Sequence, residues 1–115
     1  MIKAGIKITI VALVLGLAGS GAAQTAVAIS DILRTPSDYD RNGVAVSGTI
    51  KEVKIESEYE TFQVCNNGRC LWVLAWGHAA IQEGQFLTVS GQFRVAKHIG
   101  PCTLRNIIVV QKGTL

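Results

Sequence analysis

Asn67-Gly68 is the feature that most restricts what this chain can become. A type I′ turn needs φ > 0 at both central residues, and Asn-Gly meets that demand at least cost. With this dipeptide as the turn, Asn66 faces Arg69, Cys65 faces Cys70, Gln63 faces Trp72, Thr61 faces Leu74 and Tyr59 faces Trp76. The alternate positions are Phe62, Val64, Leu71, Val73 and Ala75, all apolar. Side chains alternate across a strand, so a one-residue slip would turn that whole set to solvent. The register is therefore fixed, the apolar set is core, and Tyr59, Gln63, Trp72 and Trp76 are turned outward together.

The same register bears on the cysteines. Cys65 and Cys70 oppose each other two steps from the turn, in a non-hydrogen-bonded pair whose Cα atoms should lie about 4.5 Å apart. That spacing suits a disulfide. A bridge there closes a six-residue loop and is worth roughly 2 kcal/mol in the chain-entropy model. Cys102 is left over.

A disulfide needs an oxidising compartment, and the N-terminus supplies a route to one. Met1 to Lys7 carries two lysines and no acid, and Ile8 to Ala18 is an apolar run too short to span a bilayer comfortably. Small residues follow. Cleavage is expected after Ala23, or as late as Ala28. We read residues 1–23 as a signal peptide and the protein as periplasmic or secreted, with membrane contact only if the segment is not cleaved. Without Lys3 and Lys7 the eleven basic residues fall to nine against eight acids, so bulk charge demands no polyanionic partner.

The 115 residues allow one small domain. Ser30 or Asp31 can cap a short helical turn that Pro36 limits. Ser37 to Gly43 is a polar turn. Val44 to Ile55 alternates with Val44, Val46, Gly48 and Ile50 on one side; Val53 and Ile55 then break the phase, which places a bulge at Gly48 or Lys51-Glu52. The hairpin follows the acidic loop Glu56 to Glu58. Gly77 to Gln82 is at most one helical turn. A fourth strand, Gln85 to Val95, directs Leu87, Val89, Gly91, Phe93 and Val95 inward. Ala96 to Cys102 is a loop closed by Gly100-Pro101, and Leu104 to Gln111 is an almost wholly apolar last strand, as expected of one covered on both sides. Five strands in so short a chain favour closure, which removes exposed edges.

Over Ile29 to Gly113 the chain resembles the oligonucleotide/oligosaccharide-binding (OB) fold. The resemblance rests on ISDILRTPSDYDRNGVAVSGTIKEV, FQVCNNGRCLWV, EGQFLTVSGQFRV and LRNIIVVQ. The strand motifs V-x-V-S-G at Val44–Gly48 and L-x-V-S-G at Leu87–Gly91 look like those of the anticodon-binding type found in small exported bacterial proteins. The resemblance implies an all-β, five-stranded Greek-key barrel with a short N-terminal helical turn. It also implies a ligand across the second and third strands, flanked by the loops at Glu56–Glu58 and Ala96–Cys102.

On that reading the ligand-binding residues are Tyr59, Gln63, Trp72 and Trp76, joined by Arg69 and Lys97, with Arg94 and Arg105 as further cations. Aromatic faces stack bases or sugar rings, so the expected partner is a single-stranded nucleic acid or an oligosaccharide. A protein partner or homodimer on the tryptophans is the other use of such a face. Ala96-Lys97-His98 also resembles the haem-attachment segment of cytochrome c maturation haem chaperones, although here a strand follows and no tyrosine succeeds the histidine. His98 with Cys102 is accordingly a weak candidate for haem or metal. No standard zinc spacing, nucleophile-base motif, paired carboxylate or glycine-rich phosphate loop is present. The expectation is a non-catalytic domain without a cofactor.

Overall fold

The computed structural model describes Thr25–His78 and Ala80–Gln111. The expected signal peptide, residues 1–23, lies outside the described residues. The elements are β1 (Thr25–Ala26), α1 (Ile29–Arg34), a 3-10 turn (Pro36–Tyr39), β2 (Gly43–Ile55), β3 (Tyr59–Asn66), β4 (Arg69–Trp76), β5 (Phe86–Ile99) and β6 (Cys102–Val110). The described residues are all-β apart from these two short helical segments.

The strands form one sheet in the order β1-β2-β3-β4-β6-β5, and β2 also pairs with β5. The pairings therefore run in a ring. β2 and β5 make this possible because each serves two neighbours in turn. The first half of β2, Gly43–Thr49, is antiparallel to β5, and its second half, from Thr49, is antiparallel to β3. β5 likewise leaves β2 at Gln92 and continues against β6. The strand motifs put a glycine at each of these corners. A Cβ on Gly48 would lie 2.4 Å from the Cys65 carbonyl oxygen, and one on Gly91 would lie 2.4 Å from that of Val109. Only glycine lets the backbones approach so closely where a strand changes partner.

The hairpin forms in the expected register throughout, from Tyr59 opposite Trp76 to Asn66 opposite Arg69, with Asn67 at φ 52° and Gly68 at φ 77°. Cys65 and Cys70 are joined, their Cα atoms 4.0 Å apart. The inner face is the predicted core. Phe62, Val64, Leu71, Val73 and Ala75 are buried with Val44, Val46, Ile50, Val89, Phe93, Ile108 and Val110. Each such large side chain contributes about 1.5–3 kcal/mol on leaving water. α1 closes one end with Ile29 and Ile32.

Several local expectations are corrected. The cap of α1 is Ala28, without a side-chain bond; Ser30 lies inside the helix. The Asp31 and Ile32 N–H groups both donate to the Ala28 carbonyl. The described part of Gly77–Gln82 has no helix, within the limit of one turn set for it. Ala96 to Ile99 is strand rather than loop: Lys97 pairs with Leu104, His98 with Thr103 and Ile99 with Cys102 about the turn at Gly100-Pro101. Gly100, at φ 58°, allows the tight reversal that makes a hairpin of this segment. β1 has no counterpart among the strands the sequence pattern indicates. Its two residues run parallel to Val44 and Ala45, and the Val27 N–H donates to the Ala45 carbonyl at 3.0 Å.

The bulge falls in the second of its two expected places. The β2–β3 register shifts between Lys51 and Lys54, with Glu52 at φ 55°. The extra residue re-aims the end of β2 and breaks its ladder there.

Candidate binding face

Cross-strand pairing arranges the outer face in rows. Lys51, Gln63, Trp72 and Ile107 lie side by side on β2, β3, β4 and β6. The next row is Lys54, Thr61, Leu74 and Val109. Tyr59 and Trp76 form the row beyond. Trp72 and Trp76 are four residues apart on one strand, roughly 13 Å at the usual rise.

The two ends of this face differ. Leu74 is 0% exposed although it points outward. It is covered by a second apolar cluster with Ile107 and Val109, against which Tyr59, Trp76, Ile99 and Leu104 pack. Tyr59 and Trp76 meet edge to face, with ring centroids 5.5 Å apart, and both are half-buried. Their rings are engaged by the protein's own apolar surface. The feature responsible, the approach of Ile99 and Leu104 from the β5–β6 hairpin, has no local signal in the sequence.

Trp72 behaves otherwise. It remains 41% exposed and lines an open concavity of about 510 Å³ with Lys51, Glu52, Val53, Lys54, Thr61 and Glu83. The bulge builds this hollow by taking residues 52 and 53 out of the ladder between the Lys51–Gln63 and Lys54–Thr61 pairs. The β4–β5 loop holds the bulge in place: the Val53 N–H donates to Glu83 Oε2 at 3.0 Å, and the Gly84 N–H donates to the Ile50 carbonyl at 2.9 Å. Among the described residues the ion pairs are Arg34–Asp31 and Arg41–Asp40, and neither Lys51 nor Lys54 takes part in one.

The other expected residues are dispersed. Gln63 is half-buried in the Trp72 row. Arg69 is exposed beside the hairpin turn, and Lys97 is half-buried on β5 opposite Leu104. Neither lines the concavity. Arg94 lies opposite Ile107, half-buried, and Arg105 is exposed on β6. Glu60, opposite Ala75, is the buried charged residue among the described ones. The sequence reading missed Lys51, Lys54 and Glu83. The phase break at Val53 was the available signal for the first two; Glu83 had none.

His98 and Cys102 do not converge. His98 Nδ1 shares a hydrogen bond with Thr103 Oγ1 at 2.9 Å, and Cys102 is a free, exposed thiol opposite Ile99. Among the described residues no three His, Cys, Asp or Glu side chains are grouped to hold a metal. His78 Nε2 donates to the Glu56 carbonyl at 2.7 Å, which ties the β2–β3 loop to the end of β4.

No protein-family model matches this chain, and no curated protein sequence matches it.

Proposed function

We propose that this protein is an exported, non-catalytic binding domain of the OB type, and that it holds an oligomeric ligand against Trp72. The closed succession of pairings, the long bent β2 and the corner glycines support a five-stranded Greek-key barrel for β2 to β6. The Cys65–Cys70 bridge is in keeping with an oxidising compartment. One observation carries the functional reading: a tryptophan left 41% exposed on the wall of a concavity, in a small protein whose other outward aromatics on that hairpin are packed away. An indole face in a shallow hollow offers a flat, apolar surface on which a planar or ring-shaped unit stacks, at about 1–3 kcal/mol per unit.

The proposed site is therefore smaller than the whole aromatic face and lies toward the bulge. Trp72, Thr61, Lys51 and Lys54 form it; Tyr59 and Trp76 support the wall. The test is a Trp72→Ala variant compared with Trp76→Ala. Trp72→Ala should keep the thermal midpoint and lose ligand-dependent fluorescence and affinity. Trp76→Ala should lower the midpoint through its packing. Binding that survives Trp72→Ala would remove this face from consideration.

A further inference from the structure

We infer that the Trp72 concavity selects an uncharged oligosaccharide rather than a nucleic-acid strand. This rests on the reading of Trp72 as the binding platform and goes further by naming what it takes. The charges around the indole decide it. Lys51 and Lys54 bring two positive charges to the hollow, and Glu52 and Glu83 bring two negative charges to the same hollow. The adjoining β2–β3 loop adds Glu56 and Glu58, both exposed. A phosphate chain laid across Trp72 would meet as many carboxylates as ammonium groups and gain nothing from the field. The cations expected to serve a phosphate chain, Arg69 and Lys97, stand elsewhere.

A neutral sugar chain fits each part of the hollow. The apolar C–H face of a pyranose packs on an exposed indole. Its hydroxyls both donate and accept, so they use donors and acceptors set side by side. Lys51 and Lys54 donate, Glu52 accepts, and the Thr61 hydroxyl does either. Glu83 has one carboxylate oxygen held by the Val53 N–H, which orients the other. The hollow, about 510 Å³, is open, as a site on the side of a longer chain would be.

The experiment uses the oxidised protein carrying Trp76→Phe, which leaves Trp72 as the one tryptophan reporter. Its emission is followed during titration with cellohexaose, chitohexaose and maltohexaose, each to 10 mM, and with a ten-residue oligothymidylate. A saturable change with at least one hexasaccharide is expected. Its Kd should move less than twofold between 50 and 500 mM salt. Neutralising even two phosphates would instead weaken binding about 25-fold over that range. In the Trp76-containing protein, calorimetric titration with the same sugar should show Kd raised more than tenfold by Trp72→Ala and less by Trp72→Phe, with unchanged circular dichroism. A salt-sensitive response to oligothymidylate, with none to the sugars, would overturn the inference and keep Trp72 as a binding platform. Silence toward all four probes would overturn both. Sugar binding undiminished in Trp72→Ala would overturn the assigned site.

Discussion

Gly48→Ala is the sharpest test of how this fold closes. The new methyl would stand 2.4 Å from the Cys65 carbonyl oxygen and 2.8 Å from its carbon, against 3.4 Å or more for ordinary contact. About 1 Å must be found, and both colliding groups are backbone. β2 at Gly48 is held on its other side by Leu87 of β5, and β3 at Cys65 is tied through the disulfide to Cys70. Overpacking of this kind costs about 1–3 kcal/mol, and losing a strand hydrogen bond at the displaced corner adds about 1 kcal/mol. Alanine returns some 0.4–1 kcal/mol by restricting the unfolded chain. The net loss is about 2 kcal/mol, a large share of the 5–15 kcal/mol typical of a domain. It corresponds to a fall of roughly 8–16 °C in Tm. Urea unfolding of the oxidised protein, followed by circular dichroism, would measure it. Gly68→Ala is the comparison, since its Cβ would meet nothing within 4 Å and only the φ of +77° opposes it. That change should cost about 1 kcal/mol. If Gly48→Ala loses no more than Gly68→Ala, the corner does not depend on close backbone approach and the account of ring closure is wrong.

Gly91→Ala should match Gly48→Ala, because its Cβ would meet the Val109 carbonyl oxygen at 2.4 Å and the Ile108 Cγ2 at 2.9 Å; a Tm within 5 °C of the unsubstituted protein would contradict this. Reducing the Cys65–Cys70 bridge should cost about 2 kcal/mol by loop closure and leave a folded protein, measured by thermal unfolding with and without reductant. A chain begun at Ile29 instead of Gln24 should lose about 2 kcal/mol or more. It discards β1 and the half-buried Val27, deletes the Ala28 acceptor of two helix N–H groups, and places an ammonium on Ile29, which is 3% exposed. Equal stability of the two chains would show that β1 is dispensable. With Trp76→Phe the remaining emission should be solvent-like, and with Trp72→Phe it should be blue-shifted, since Trp76 packs on the second cluster.

The sequence by itself determined the hairpin. Asn67-Gly68 demanded the turn, strict alternation fixed the register, and together they brought Cys65 against Cys70 and buried Phe62 and Val73. Local geometry suffices there, because partners a few residues apart have no freedom to choose others. The phase break before Val53 likewise announced the bulge. What the chain could not announce is which distant surfaces meet. The extension of β5 past Ala96 depended on a Gly-Pro turn that reads equally well as loop. The parallel seating of β6 on β4, and the covering of Leu74 by Ile107, Val109 and the β5–β6 hairpin, join segments more than twenty residues apart. Two outward tryptophans on one strand look equivalent in the sequence. Tertiary packing separates them, enclosing Trp76 and leaving Trp72 beside a hollow whose fourth side, Glu83, arrives from another loop. The character of the site lies in that non-local closure, because apolar side chains and charges act on whatever the fold brings near them.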